Sequence, residues 1–208
     1  GLRAAQHQGD ALMAVVLVDA GGTNIGSVRY ALQRLGVDAA LTADPQAIRG
    51  ADKVILPGVG AAGPGMARLR ELGLVELMRS LTQPVLGVCL GMQLLCAHSE
   101  EGDTDCLGVI DAPVRRFVEA PGLRVPHMGW NALEPVLEHP LLDGLVAGEQ
   151  AYFVHSYAVP AGDYTLATAD FGGPFSAVIV RGNYHGMQFH PERAAGVGAR
   201  LLKNFLSL

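Results

Sequence analysis

Cysteine is scarce in this chain, with three in 208 residues. An odd count without framework spacing excludes a disulfide-stapled scaffold and suits a reducing cytoplasm. Basic clusters are missing too. No run of Lys or Arg exceeds two residues and the formal net charge is −5, which leaves nucleic-acid binding and electrostatic membrane association without support. No apolar stretch approaches the ~20 residues of a membrane span. Cys and His nowhere cluster at ligand spacing, so no metal site is expected. Residues 1–12 are rich in Gly, Gln, His and Ala and lack the basic-then-apolar order of a signal peptide. They read as a disordered leader or an artificial extension, followed by one domain over residues 13–208. With 50% of its residues apolar, that domain has enough material for a full core.

The first hundred residues alternate strand and helix. Val15–Asp19 is a short apolar run ending in Gly-Gly, as expected of a buried parallel strand. A helix follows with Ile25, Val28, Leu32 and Leu35 at helical spacing, Thr23 or Asn24 as N-cap and Gly36 as its stop. Strands are expected at Val37–Leu41 and Lys53–Leu56, a long amphipathic helix over Met66–Leu81, and a strand over Pro84–Val88. This alternation predicts an α/β fold, a mostly parallel doubly wound sheet flanked by helices. From Cys106 to Gln188 short strand candidates take over, namely Cys106–Asp111, Trp130–Pro135, Ala151–Ala158, Tyr164–Ala169, Ser176–Val180 and Tyr184–Phe189. They are expected to add antiparallel strands on one edge, and a helix over Gly196–Leu206 closes the chain.

The most informative stretch is Val85-Leu-Gly-Val-Cys-Leu-Gly-Met-Gln93. An apolar strand runs into a Gly-flanked turn with Cys89 at its apex, and a helix over Leu90–His98 follows at once. This is a nucleophile elbow carrying Cys in place of Ser, with Gly87 and Gly91 where a tight turn excludes bulk. A free thiol of pKa about 8.5 is only ~3% thiolate at pH 7, and a helix N-terminus favours the charged form. Cys96 reads as a small buried hydrophobe, and Cys106 as structural.

A base is offered about a hundred residues later in Gln188-Phe-His-Pro-Glu192. His190 and Glu192 are spaced i, i+2, so an extended segment turns both to one face, and Pro191 biases His190 toward that conformation. The carboxylate can orient the imidazole, and the imidazole can take the thiol proton. Gly58-Val-Gly-Ala-Ala-Gly63 matches a dinucleotide fingerprint, but no acidic residue ends the next strand to hold a ribose. An oxyanion loop is the better use of these glycines. The backbone N–H of Leu90, the residue after the nucleophile, is one donor.

Gly87-Val-Cys-Leu-Gly-Met-Gln93 together with His190-Pro-Glu192 resembles the class I (triad) glutamine amidotransferases. Pro57-Gly-Val-Gly60, Pro126-His-Met-Gly-Trp-Asn131 and Tyr152-Phe-Val-His-Ser-Tyr157 resemble, within that class, the glutaminase subunits of imidazole glycerol phosphate synthases. The resemblance spans residues 13–208. It implies a Cys89-His190-Glu192 triad acting on L-glutamine, no cofactor, and a second oxyanion donor at Val59. It also implies substrate contacts at Gly58, Gln93, Glu101 (toward the α-ammonium) and the backbone of Ser156 and Tyr157 (toward the α-carboxylate). The implied partner is a (β/α)8-barrel cyclase subunit, met by Asn24, His127, Trp130, Tyr152 and Arg193. Arg193-Ala-Ala stands where the family usually shows Lys-Ser, and Thr23 where a Gly is common.

The other histidines are given plainer readings. His7 and His139 are expected in exposed loops, His98 at a helix C-terminus, and His185 carries no role. His127 and His155 are expected at the substrate or partner face. Two further readings stay open: a glutaminase subunit serving another acceptor synthase, and a stand-alone cysteine hydrolase. A non-catalytic binding module would leave the Cys-His-Glu set unexplained.

Overall fold

Four consecutive buried residues, Val15–Val18, open the central sheet. Their side chains alternate between its faces. Val15 and Leu17 join an apolar cluster on one side, and Val16 and Val18 join a second cluster on the other. A strand covered on both faces has no polar positions to spare, which is why this run shows no alternation in sequence. The computed structural model describes residues 13–21, 25–193 and 196–208. The expected leader and the Thr23/Asn24 cap lie outside them.

The first half runs β1 (Val15–Val18), α1 (Ile25–Arg34), β2 (Ala40–Thr42), α2 (Pro45–Gly50), β3 (Lys53–Gly58), α3 (Ala62–Glu71), α4 (Val75–Ser80), β4 (Val85–Cys89) and α5 (Leu90–Leu95). Short strands follow: β5 (His98–Ser99), β6 (Thr104–Asp105), β7 (Pro113–Arg116), β8 (His127–Ala132) and β9 (Glu134–Pro135). The chain ends with β10 (Gln150–His155), β11 (Tyr157–Ala158), β12 (Thr165–Asp170), β13 (Pro174–Arg181), β14 (Tyr184–Met187) and α6 (Val197–Leu206). The main sheet has the order β2-β1-β3-β4-β14-β13-β12-β9. Strands β2, β1, β3, β4 and β14 are mutually parallel, and β13, β12 and β9 continue antiparallel. Helices α1 and α6 contribute Leu32, Leu201 and Phe205 to one core cluster, while α3, α4 and α5 contribute Met66, Met78 and Met92 to the other. The expected doubly wound α/β architecture is therefore present.

Several expectations need correction. The single helix over Met66–Leu81 is two helices, broken where Gly73 adopts φ +68°, a left-handed conformation that glycine takes without strain. Cys106–Asp111 is not a strand. Its amides instead take the free carbonyls at the end of α5: Leu107 N bonds Leu94 O, Gly108 N bonds Cys96 O, and Val109 and Ile110 N bond Leu95 O. A helix C-terminus leaves such carbonyls without partners, so α5 ends at Leu95 and not at His98. His98 belongs to β5 and contacts Asp103 and Asp105 at 2.9 and 2.8 Å. The second half is not simply an edge addition. Strand β14 sits inside the sheet beside β4, and two smaller sheets, β10-β8 and β11-β7-β5-β6, stand apart from it. His139 is half-buried, and its Nδ1 accepts the Leu141 amide at 3.0 Å. His185 is buried, with Nδ1 bonded to Val85 O at 3.1 Å and its ring against Phe205.

Candidate active site

Strands β3, β4 and β14 are consecutive neighbours running the same way, so their C-terminal ends deliver three separate motifs to one sheet edge. Gly58 ends β3, Cys89 ends β4, and β14 leads through Gln188 and Phe189 to His190. Open α/β sheets place their ligand crevices at such carboxyl ends.

Cys89 has φ +56° and ψ −116°, between strand β4 and helix α5. A non-glycine residue in this region is strained by its Cβ, and such strain is retained at functional sites when the surroundings enforce it. The glycines beside it enforce it by close approach. A Cβ on Gly87 would lie 2.6 Å from the Gly91 carbonyl and the Met92 nitrogen, and one on Gly91 would collide with Leu56 O. Helix α5 thus turns back tightly over β3 and β4, as the elbow reading expects. The thiol is buried and bonds only weakly to Phe189 O, at 3.6 Å. Burial first, and the charge of Glu192 second, hold its pKa well above the ordinary range. This opposes the expected pull of the helix N-terminus toward the charged form, since burial disfavours charge on the sulfur.

His190 Nδ1 and Glu192 Oε1 are 2.9 Å apart, and both side chains are largely buried. Backbone bonds seat the pair: His190 N donates to Tyr152 O at 3.0 Å, and Arg34 Nη2 donates to Glu192 O at 3.2 Å. Burial raises the Glu192 pKa, but the His190 hydrogen bond and neighbouring positive charge outweigh it, so the carboxyl titrates below its ordinary value. Glu192 Oε2 is buried without a hydrogen-bond partner among the described residues.

A cavity of about 590 Å³ opens over these groups. Every expected catalytic, oxyanion and substrate residue borders it: Cys89, His190 and Glu192; Val59 and Leu90; Gly58, Gln93, Glu101, Ser156 and Tyr157. Gln93 is buried and donates Nε2 to Tyr157 O at 3.0 Å and to Gln188 Oε1 at 2.9 Å. Glu101 Oε1 accepts the Ala62 amide at 2.7 Å, satisfying the start of α3 that Ala61 cannot cap. Sequence reasoning did not single out Gln188. It lies in the Gln-Phe-His-Pro-Glu motif, fully buried and facing the same cavity.

Residues 16–208 match the family described as "Glutamine amidotransferase class-I". The chain belongs to the class-I glutamine amidotransferases. It is 57% identical over 194 residues to the imidazole glycerol phosphate synthase subunit HisH of Xanthomonas euvesicatoria, covering 93% of this chain and 97% of that one. Identity to the subunit of the same name from Xylella fastidiosa strain Temecula1 is 56% over the same shares. Among solved structures it is similar in fold to a glutamine amidotransferase (TM-score 0.73, 23% identity, 93% and 97% of the two chains). It also resembles PurLQS from Thermotoga maritima (TM-score 0.70, 17% identity, 94% and 98%).

At the mouth of this amidotransferase site stands the two-stranded sheet β8-β10. Trp130 pairs with Tyr152 and Met128 with Val154 in its register. Trp130 is 54% exposed and Met128 63%. Trp130 meets the Tyr152 ring edge-on at 5.5 Å, and the Arg193 guanidinium lies over the same ring, 4.4 Å from its centroid. His127 does not share this face. Three residues from Trp130 on one strand, it points the opposite way, and it is buried between Phe117, Phe153 and Phe171. His155 is also buried, but it borders the cavity itself, as expected of the substrate face. Asn24 lies outside the described residues.

Proposed function

We propose that this chain is the glutaminase subunit of an imidazole glycerol phosphate synthase, supplying ammonia to a (β/α)8-barrel cyclase in histidine biosynthesis. The observation that carries the chemistry is the convergence of Cys89, the 2.9 Å His190–Glu192 pair and two flanking backbone segments in one cavity. His190 takes the Cys89 proton as the sulfur attacks the side-chain amide carbon of L-glutamine. The developing oxyanion is met by the backbone N–H groups of Leu90 and Val59. Protonated His190 gives its proton to the departing nitrogen, and ammonia leaves a glutamyl thioester. Water, activated by the same imidazole, releases glutamate and restores the thiol. Because burial disfavours the thiolate, the proton passes to His190 as the sulfur attacks. Gly58, Gln93, Glu101, Ser156 and Tyr157 hold the amino acid.

The acceptor reading rests on the relatives named for the synthase and on the exposed face beside the site. Met128, Tyr152 and Arg193 border the cavity and Trp130 packs on Tyr152 beside them, an apolar and cationic surface suited to a partner that receives ammonia without loss to water. The three free cysteines suit the reducing cytoplasm. The test is glutamate release by the purified chain, alone and with a cyclase subunit plus its ribotide ligand. Slow hydrolysis alone and a rise of roughly a hundredfold or more in the complex are expected. Full activity alone, changed less than about threefold by the partner, would move the protein to the stand-alone hydrolase reading.

A further inference from the structure

The strongest feature left unused by this chemistry is a hydrogen-bond chain that runs from the surface at Asp170 to the cavity wall at His155 and Tyr157. It starts at Asp170 O, which accepts Asn131 Nδ2 at 2.7 Å. Asn131 Oδ1 accepts the Ala132 amide at 2.8 Å, so that side-chain amide has one permitted orientation, and Nδ2 faces His127 Nε2 at 3.3 Å. His127 Nδ1 lies 3.0 Å from His155 Nε2, and His155 Nδ1 lies 2.8 Å from Tyr157 O. Tyr157 O also accepts Gln93 Nε2, which is shared with Gln188 Oε1.

Both ends of this chain are backbone carbonyls, which only accept, and that determines every proton between them. His155 Nδ1 must carry its hydrogen, so Nε2 is an acceptor. His127 must then donate from Nδ1, and its Nε2 accepts from Asn131. On the far side, Gln93 spends both N–H groups on Tyr157 O and Gln188, leaving its carbonyl oxygen as the end open to the cavity. We propose that His127 and His155 are positioning residues for glutamine: a pair of Nδ1–H tautomers that hold Tyr157 and so present Gln93 to the substrate as an acceptor. The inference rests on the glutamine site proposed above. Phe117, Phe153 and Phe175 pack around the pair. Burial, followed by the neighbouring charges of His127 and His190, lowers the His155 pKa to about 3 despite the Tyr157 hydrogen bond. A charged imidazole would put a donor against a donor and break the chain. The pair also spans β8 and β10, on the inner face of the same sheet whose outer face carries Trp130 and Tyr152.

The test combines kinetics of the assembled synthase with imidazole nitrogen NMR of the unmodified chain. His155→Phe removes the donor to Tyr157 and should raise KM for glutamine at least tenfold while kcat changes less than threefold, the pattern of lost ground-state binding. His155→Asn places an N–H near the Nδ1 position and should recover most of that loss. NMR should show Nδ1–H tautomers at both His127 and His155. An Nε2–H tautomer at either one overturns the inference, even if a variant fails to fold. So does a KM for His155→Phe within twofold of wild type, or an Asn variant no better than the Phe variant. Wild-type synthase that does not hydrolyse glutamine would instead defeat the glutaminase reading, while the tautomer measurement would still judge the hydrogen-bond chain.

Discussion

Cys89 and Gly58 are partners across the parallel ladder of β4 and β3, so the proposed nucleophile and the proposed oxyanion loop leave the sheet side by side. A Cβ on Gly58 would sit 3.3 Å from both Gly91 N and Leu90 Cβ, tight but negotiable by a small shift. Gly58→Ala should therefore leave the melting temperature nearly unchanged and lower kcat by roughly tenfold or more, because displaced donors miss the oxyanion. Gly91→Ala, which drives a methyl into Leu56 O, should cost stability at or above the usual ~1–3 kcal/mol of overpacking. Equal stability losses in thermal melts would contradict this division.

Cys89→Ala keeps the Cβ that the strained backbone already accommodates and removes the nucleophile. Glutamine hydrolysis should fall by more than about 10³-fold, with synthesis from ammonium salts retained by the complex. Residual glutaminase activity within tenfold of wild type would remove Cys89 from its role.

His190→Asn should damage kcat nearly as much as loss of Cys89, whereas Glu192→Gln should cost less. The imidazole moves protons, and the carboxylate orients it through one 2.9 Å contact. Steady-state kinetics of both variants decide the matter, and a Glu192 variant worse than the His190 variant would reverse the assignment.

Trp130→Ala removes a large ring that is 54% exposed. Its effect on the stability of the isolated chain should stay within about 0.5 kcal/mol. Affinity for the cyclase should weaken by about 2 kcal/mol, roughly thirtyfold in Kd, as for a central aromatic anchor. Titration calorimetry with unchanged affinity would place the docking face elsewhere.

Acid should destabilise the fold well before the carboxylates titrate. His155, held near pKa 3 by burial, stays neutral in the folded chain while the unfolded chain binds a proton below about pH 6.5. The unfolded state then holds more protons, so stability rises with pH across that window and falls on acidification, by up to about 1.4 kcal/mol per unit. The lowered pKa values of His127 and His185, both set by burial, act in the same sense. Glu192, with its depressed pKa, adds a loss only as pH falls through that lower value. Urea midpoints at pH 7 and pH 5 that coincide would refute the neutral burial of these rings.

Some of this molecule was legible because local rules are decided within a few residues. The Gly-x-Cys-x-Gly elbow, the i, i+2 spacing of His190 and Glu192, and the strand-helix alternation each depend on backbone geometry over one or two turns of chain. Other features are not legible in sequence for reasons equally physical. Cys106–Asp111 has a strand-like composition, but its amides are claimed by the end of α5, a competition between segments that no window of sequence contains. His127 and Trp130 share one sequence motif, yet a strand's two-residue period sends them to opposite faces.

The amino-acid sequence by itself determined the family and nominated Cys89 and His190 as nucleophile and base, because those depend on residue identity at short spacing. Tertiary structure alone decided that the Cys89 thiol is buried and its pKa pushed up, since desolvation is a property of everything packed around it. It alone also brought Gln93 Nε2 onto Tyr157 O and Gln188 Oε1, acceptors 64 and 95 residues away in the chain that only the folded sheet places within hydrogen-bonding distance.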